Sequence, residues 1–338
     1  MNIFKDKVTQ EEMNAVYKEL QTPYKYGMVV TGTGDEGITN VDSHGVFRYG
    51  NKWYMTYVSH NENSEYGGYR TNLASSDNLL DWNFEGIVFQ NSADYPQCAA
   101  YPALQDTEWG GSYELEKLVD RYWWTTLEGA AKGYEGEPMN IGLLSAENPS
   151  VPSDYHHENR LLLTIYDKDV RDGERGTLFK SNVIHDAAKT TGYEFVMYYN
   201  AKNPRGCEWI ERIYMAVSND MKTWKRYGDS WVLYNEGFSI TGDPQVVKMG
   251  NLWVMNLFVY KGGSESAYDT FAVSKDLVNW TAWNGEPTVC SSEQYDSQHA
   301  HKPWIIKHKG VVYHFYCAKS KDNNMPRGIA LATSMDLK

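Results

Sequence analysis

Short runs of alternating apolar and polar residues recur along the chain, and tight-turn signals separate them. The clearest example covers residues 241–258, where two β-branched and aromatic segments flank the turn Met249-Gly250-Asn251. Asp243 and Pro244 stand at the start of the first segment, so a carboxylate opens a strand whose backbone direction proline restricts. The pattern predicts a β-hairpin as the unit from which the fold is built.

The same unit recurs elsewhere, and the residue at its start changes from copy to copy. Residues 41–57 repeat the hairpin with Asp42 in the place of Asp243, and residues 112–126, 180–199 and 301–316 are further copies. The starts of the five copies are Asp42, the Tyr113-Glu114 region, Lys180-Ser181, Asp243 and His301-Lys302.

A second element, a short apolar strand ending in Ser-x-Asp or Ser-x-Glu, also repeats. Successive copies are 70, 73, 56 and 60 positions apart, which is typical of radially repeated sheets. We interpret these acidic residues as turn residues that bond their own backbone. We predict an all-β fold, a five-bladed β-propeller of four-stranded antiparallel blades with a short N-terminal helix. The acidic residues are Asp77, Glu147, Asp220, Asp276 and Asp336.

The repeats predict one domain over residues 1–338. We expect residues 1–26 to be an N-terminal helical extension, because Thr9-Gln10-Glu11-Glu12 is a capping box that predicts a helix over 10–20. The fifth blade lacks an outer strand, and we expect a strand near 27–33 to pair with 327–333 and close the ring. The predicted blades cover about 41–90, 99–165, 175–235, 239–290 and 299–337.

Charge and aromatic content bear on the partners of the protein. The 44 acidic and 32 basic residues give a formal net charge of −12, whereas nucleic acids and anionic membranes are bound through basic faces. Neither is therefore an expected partner. Aromatic residues make up 14% of the sequence, with 12 Trp and 26 Tyr, and flat rings stack well on sugars. Carbohydrate is the partner that we expect.

Cysteine spacing and the first residues bear on metals and on localisation. Cys98, Cys207, Cys290 and Cys317 are scattered without a CxxC pair, which argues against zinc and a disulfide framework. We expect no cofactor, with a structural ion in the central channel as the alternative. The first seven residues lack the apolar core of a signal peptide, and no stretch is long and apolar enough to span a bilayer. We expect a cytoplasmic protein, with a trimmed secreted or periplasmic protein as the alternative.

The strand starts of a propeller face one another across its axis, and here they bring carboxylates and cations together. Asp42 and Asp243 are the first candidates for acid–base work on a glycosidic bond, followed by Glu114 and Asp106. The structural alternative is that both first candidates are strand caps. Aromatic residues in loops are candidates for stacking on sugars. The candidate substrate-binding residues are His44, Glu108, Trp109, Lys180, Ser181, His301, Lys302, Tyr66 and Trp209.

Two of these features resemble a known superfamily. Asp42 at the start of the first blade and Gly242-Asp243-Pro244-Gln245 at the fourth resemble the five-bladed propeller glycoside hydrolases of families 43, 62, 32, 117 and 130. Residues 242–248, 301–304, 310–317 and 327–334 are also similar to uncharacterised bacterial glycosidases. The resemblance covers residues 40–337. It implies an enzyme that cleaves a glycosidic bond in an oligosaccharide or polysaccharide fragment.

The resemblance also implies roles for particular residues. In family 43 an Asp of the first blade is the base, an Asp of the second tunes and orients, and a Glu of the third is the acid. Asp42 matches the first role, while Asp106, Glu108 and Glu114 compete for the second. Lys180-Ser181 stands where the third-blade Glu should be, so Asp243 or Glu114 must supply the acid, or the reaction differs.

Several alternatives stay open at this point. Inversion with a water nucleophile is favoured, because most of the similar families invert. Family 130 can use phosphate, and Lys180, Lys302 and His301 could bind it, so a glycoside phosphorylase is one alternative. A non-catalytic propeller that binds glycans through its aromatic residues is the other.

Overall fold

The computed structural model describes residues 7–31, 40–60, 68–89, 97–115, 123–130, 138–203 and 208–338, and it is almost entirely β-structure with one α-helix, α1 (Gln10–Glu19). No described helix has the length and apolar character needed to cross a membrane. The strands are β1 (Tyr24–Val30), β2 (Asn40–Tyr49), β3 (Lys52–His60), β4 (Tyr69–Ser76), β5 (Asn83–Phe89), β6 (Gln97–Pro102), β7 (Trp123–Ala130), β8 (Asn140–Ala146), β9 (Tyr155–Leu163), β10 (Thr177–His185), β11 (Phe195–Lys202), β12 (Glu211–Ser218), β13 (Lys225–Arg226), β14 (Ile240–Met249), β15 (Leu252–Tyr260), β16 (Tyr268–Ser274), β17 (Trp280–Ala282), β18 (His299–His308), β19 (Val311–Lys319) and β20 (Gly328–Thr333).

Helix α1 begins at the capping box that the sequence predicts. The Thr9 side chain accepts a hydrogen bond from the Glu12 backbone N–H, and the Glu12 carboxylate accepts one from the Thr9 backbone N–H. Met13 and Val16 are buried and pack in one apolar cluster with Val254 and other sheet residues. The capping box is therefore confirmed, and α1 covers one face of the sheet assembly.

The described strands form groups of four that follow one another along the sequence. The groups are β2–β5, β6–β9, β10–β13, β14–β17, and β18–β20 with β1, and neighbouring strands within a group are antiparallel. A parallel bridge between Glu211 and Ile240 joins the third and fourth groups. The first strand of each group contacts the first strand of the next, and β18 contacts β2. The five first strands therefore form a closed ring.

The last group is completed by the strand nearest the start of the described residues. Tyr24 pairs with Thr333 and Met28 pairs with Ala330, so β1 is the edge strand beside β20. From the sequence, the segment near 27–33 is expected to take this position. Its last two positions lie outside the described residues. The pairing covers an edge of β20 that would otherwise be open to other molecules.

Four first strands carry a bulge at the same point near their start. The regular pairing is interrupted at these points, and the bulged residues have positive φ angles although none is glycine. Bulges of this kind redirect side chains and often lie beside active sites. The bulged residues are Ser43 (φ 31°), Lys180 (48°), Asp243 (56°) and Lys302 (66°).

The bulges show that the repeat in residues 41–57 is shifted by one residue relative to the repeat in residues 241–258. Asp42 pairs with Val58 immediately before its bulge, as Gly242 pairs with Phe258 before the bulge at Asp243. Ser43, and not Asp42, is therefore the counterpart of Asp243. The repeat pattern alone could not show this, because both residues are polar and stand beside the same bend of the backbone.

The predicted hairpin at residues 112–126 is wrong. The first strand of the second group is β6, which pairs with β7 through partners such as Tyr101 and Thr126. The segment that follows β6 continues away from it, and Asp106 and Glu114 pair there through their backbones. β6 is short, and after Ala103 and Leu104 the segment becomes polar, so the sequence shows no clear strand pattern there.

Candidate active site

The four bulged residues surround a small cavity at the middle of the ring of first strands. Ser43, Lys180, Asp243 and Lys302 all line it, together with Tyr101 and neighbouring residues, and its volume is about 20 Å³. A space of this size holds about one water molecule. The bulges thus bring a carboxyl, two ammonium groups and a hydroxyl to one place.

A larger cavity of about 250 Å³ adjoins the small one and shares Phe179, Asp243 and Lys302 with it. Its wall combines aromatic rings with carboxyl groups, cations and imidazoles. Trp209 is 56% exposed and stands at the rim. A mixed wall of rings and polar groups is typical of a sugar-binding site. The remaining lining residues are Glu211, Ile240, Phe258, Tyr260, Ala267, His299, His301, Lys319 and Arg327.

Asp243 lines both cavities and is 2% exposed. Its Oδ1 accepts a hydrogen bond of 2.9 Å from Asn200 Nδ2, and its Oδ2 has no hydrogen-bond partner among the described residues. Burial raises the pKa of Asp243, and the Asp42 carboxylate adds to this, while Lys302 and Lys180 oppose it. A buried carboxyl with an elevated pKa suits a general acid.

Asp42 has the opposite electrostatic environment. Its Oδ2 accepts Lys302 Nζ at 3.0 Å and Arg327 Nη2 at 2.5 Å, and its Oδ1 accepts the Ser43 N–H at 2.7 Å. Although burial opposes ionisation, the cations Arg327 and Lys302, with a smaller effect of His301, hold the pKa of Asp42 well below its usual range. Asp42 does not line either of these two cavities. Asp42 is therefore ionised, and it holds Lys302 and Arg327 in place beside the cavities.

Glu211 is a carboxylate of the larger cavity that is not among the candidates predicted from the sequence. It begins β12, is 4% exposed, lines the larger cavity with Asp243, and accepts a 2.7 Å hydrogen bond from the Trp209 indole. In sequence it follows a loop and precedes an ordinary strand, so it looked like a residue at a strand end. The available signal was its position two residues after Trp209, an aromatic residue already selected for sugar stacking.

The histidines near the strand starts differ in their access to the cavity. His301 lines it and bonds the Cys317 carbonyl through Nδ1 at 3.1 Å, whereas His44 is 1% exposed and lines neither cavity. Burial, followed by the Lys180 cation, lowers the pKa of His44 to about 3. Burial and then the cations Arg327 and Lys302 also lower the pKa of His301. Both imidazoles are therefore neutral, and only His301 is placed to meet a substrate.

The two lysines expected to bind substrate are both engaged by the protein. Lys180 Nζ donates to the His44 carbonyl at 2.9 Å and lies 4.0 Å from the centre of the Tyr101 ring. Lys302 Nζ donates to Asp42 and to Ser43 Oγ. Ser181 is 1% exposed and lines neither cavity. The lysines border the site, while Ser181 is a packed strand residue.

Four predicted site residues lie at the far end of the first strands. Glu108 pairs with Lys248, which is five residues beyond Asp243, or about 16 Å along an extended strand. Asp106 accepts hydrogen bonds from the Ser112 backbone and hydroxyl, both at 2.7 Å, and so organises its own loop. The other two residues are Trp109, bonded to Glu19 of α1, and Glu114, bridged to Arg48.

These four residues therefore do not join Asp42 and Asp243. The reason is the misplaced hairpin: the segment 103–115 runs to the other end of the ring. Although burial opposes it, hydrogen bonds from Ser112 and from the Glu108 N–H lower the pKa of Asp106, as expected for a loop cap. Tyr66, the remaining candidate, lies outside the described residues. Within the described ranges, no group of three His, Cys, Asp or Glu side chains is placed to hold a metal ion.

Solved structures resemble the whole protein closely. A structure described as "Glycoside hydrolase" is 43% identical, with a TM-score of 0.89, and the match covers 98% of this protein and 97% of the other. A structure described as a complex of BT0996 and RGII has the same identity, coverage and TM-score. No protein-family model matches the sequence, and no curated protein matches it.

More distant structures share the fold. The "catalytic domain of Coprinopsis cinerea GH62 alpha-L-arabinofuranosidase" is 10% identical with a TM-score of 0.64, covering 92% of this protein and 97% of that one. An "endo-arabinase from Bacteroides thetaiotaomicron VPI-5482" is 13% identical with a TM-score of 0.56, covering 92% and 98%. At such identities the likeness concerns the fold alone.

Proposed function

Because this protein belongs to the glycoside hydrolases, being 43% identical to one over almost its whole length, we propose that it hydrolyses a glycosidic bond at the cavity shared by Asp243 and Glu211. The enzyme cleaves glycosidic bonds, as the resemblance implied. The choice of site rests on the Asp243 carboxyl. Its Oδ2 has no hydrogen-bond partner among the described residues, its pKa is raised, and it lines the same cavity as the Glu211 carboxylate.

The two carboxyl groups take different roles in this proposal. Asp243 keeps its proton more readily than an exposed carboxyl, so it donates that proton to the departing glycosidic oxygen. Glu211, oriented by Trp209, activates the attacking water. Asp42 does not contact substrate; it positions Lys302 and Arg327. This assignment replaces the pairing of Asp42 with Asp243.

The cavity favours a terminal sugar as the group that is cleaved. Its volume of about 250 Å³ is below the roughly 300–1,000 Å³ of sites that enclose a drug-sized ligand. We infer that one ring enters between Phe258 and Trp209 while the rest of the glycan stays outside. Since one close relative is described as an RGII complex, we propose RGII oligosaccharides as substrates. We also infer that the five strand groups are the blades of a five-bladed propeller, supported by their closed ring.

The proposal is tested by incubating the protein with a panel of aryl-glycosides and RGII oligosaccharides, with and without phosphate. We expect release of one terminal sugar at the same rate in both buffers. Proton NMR of the first product should show the inverted anomer, which stays a prediction from the similar families. Formation of a sugar 1-phosphate would instead support a phosphorylase, and binding without turnover would support a glycan-binding protein.

Variants locate the site within the same experiment. Asp243→Asn and Glu211→Gln should each lower turnover by about a hundredfold or more, as expected for loss of general acid–base catalysis. Glu108→Gln is the matched control, because its carboxylate lies at the far end of the strands. Equal activity of all three variants would reject the site while leaving the family membership intact.

A further inference from the structure

One wall of the larger cavity is strongly cationic although the protein is acidic. Lys302, Lys319 and Arg327 line it, all from the group that contains β18, β19 and β20 or from the residue just before β20. The protein as a whole carries a formal net charge of −12. Clefts lined by charge of one sign concentrate ligands of the opposite sign. These three cations therefore raise the question of which anionic ligand the wall binds.

Three carboxyl groups lie near this wall: Asp243 and Glu211 line the same cavity, and Asp42 lies outside it against Lys302 and Arg327. The Asp42 carboxylate is shared by Lys302 and Arg327, at 3.0 Å and 2.5 Å. Lys319 Nζ makes no hydrogen bond or ion pair with any residue that the structure describes, although the side chain lines the cavity. Among the cations of this wall, Lys319 is therefore the one without a direct carboxylate partner among the described residues, and its side chain lines the cavity.

The groups next to this wall respond to its cations. Burial and then the Arg327 cation lower the pKa of Lys319, while the Asp42 carboxylate opposes this. Burial, followed by Arg327, Lys319 and Lys302, lowers the pKa of His299 to about 4. The nearby imidazoles are therefore neutral donors or acceptors. They neither add to the cationic charge nor cancel it.

We propose that this wall is a subsite for an oxyanion, and that its ligand is the carboxylate of a uronic-acid residue, bound by Lys319 in the field of Arg327. The proposal rests on the proposed function and names its substrate class. Phe258 and Tyr260 line the same cavity and provide rings on which the sugar packs. These rings favour an acidic sugar over free phosphate, which has no apolar face.

Binding measurements test the subsite without requiring turnover. We compare galacturonate with galactose, and glucuronate with glucose, by calorimetry on the protein. We expect at least one acid to bind roughly tenfold to a hundredfold more tightly than its neutral partner, the range expected for a charge-assisted hydrogen bond. Lys319→Gln should remove that preference and Lys319→Arg should keep it. Lys222→Gln, an exposed lysine outside both cavities, is the matched control.

The outcomes separate this inference from the proposed function. No preference for either acid, or a preference that survives in Lys319→Gln, overturns the subsite. Inorganic phosphate binding more tightly than both acids, with loss in Lys319→Gln, overturns the acidic sugar as ligand. Hydrolysis of neutral glycosides is measured in parallel. Cleavage without any acid preference rejects only the subsite, whereas acid binding without cleavage of any glycoside rejects only the proposed hydrolytic site.

Discussion

Asn200 holds Asp243 at two points. Its Nδ2 donates to Asp243 Oδ1 at 2.9 Å, and its Oδ1 accepts the Asp243 backbone N–H at 2.8 Å. One buried amide therefore fixes both the carboxyl group and the backbone of a residue whose φ is 56°. A non-glycine residue in this conformation costs about 1–3 kcal/mol and persists only where its surroundings enforce it.

Asn200→Ala should release this bulge. The two lost hydrogen bonds leave buried groups unsatisfied, so we expect about 2–4 kcal/mol less stability and a large fall in kcat. Asn72→Ala is the control, because Asn72 is equally buried and bonds the Tyr57 carbonyl but lines neither cavity. Unfolding curves and turnover on one substrate decide the matter. Equal loss of kcat in both variants would mean that stability alone explains the effect.

Asp42→Asn and Asp243→Asn should change stability in opposite directions at neutral pH. The first leaves Lys302 and Arg327 without their buried carboxylate and should cost about 3–5 kcal/mol. The second removes a carboxyl whose pKa is raised by burial and should stabilise by about 1.4 kcal/mol for each unit of that shift. Thermal unfolding of both variants checks the signs. Destabilisation by Asp243→Asn at pH 7 would contradict the elevated pKa.

The stability changes caused by Asp42→Asn and Asp243→Asn should also vary with pH in defined directions. The depressed pKa of Asp42 contributes stability that is present above about pH 4 and is lost as pH falls through the folded-state value. The raised pKa of Asp243 removes stability as pH rises from about 4 through its folded-state value. Unfolding scans from pH 3 to 8 should therefore show the Asp42→Asn deficit shrinking in acid and the Asp243→Asn gain growing with pH. Two pH-independent differences would refute both assignments.

Trp209 variants should separate stacking from orientation. Trp209→Ala removes both the exposed ring and the indole N–H, so it should lower kcat as the Phe variant does and also raise KM roughly two- to tenfold, in line with the 0.5–1.5 kcal/mol of an aromatic contact. Trp209→Phe keeps a ring but loses the indole N–H that bonds Glu211, so it should lower kcat more than it raises KM. Trp231→Ala, another exposed tryptophan outside the cavity, is the control. A pure KM effect in the Phe variant would argue against Glu211 as a reacting group.

Asp106→Ala should act on stability and leave the chemistry intact. The carboxylate accepts hydrogen bonds from Ser112 and from the Glu108 N–H, so its loss should cost about 1–3 kcal/mol. Turnover per folded molecule should match the wild type. A hundredfold loss of kcat with an unchanged melting temperature would restore Asp106 to the active site.

The sequence predicted the fold better than the site. Hairpins with strong apolar alternation, such as the one from β14 to β15, and the capping box of α1 depend on local chemistry, and local chemistry is visible in a sequence. The second group was misassigned because β6 has six residues and its partner β7 follows a long connection. Strand pairing between distant segments depends on which neighbour offers a matching edge, and one sequence does not contain that information.

The residues of the candidate site could also be predicted only in part. Asp243 was identified because it opens a clear strand, whereas a bulge of one residue moved Asp42 out of the equivalent position. Glu211 reaches the cavity from the third strand of its group, and nothing in the sequence marks a third strand as part of the site. Lys319 likewise comes from the second strand of the last group. Residues from outer strands converge through the twist of the sheet, which a repeat alignment does not display.

The pairing of Tyr24 with Thr333 has a consequence for the order of events on the ribosome. About three hundred positions separate the two residues, and synthesis proceeds at roughly 5–20 residues per second. Strand β1 therefore emerges roughly 15–60 s before its partner β20 exists, and during that interval it is an unpaired strand on a nascent polypeptide. The earlier sheets can fold in that time, but the last sheet closes after translation has passed residue 333, and α1 packs on residues as late as Val312. Newly made molecules are accordingly exposed to edge-to-edge association during this interval, and the finished ring is not.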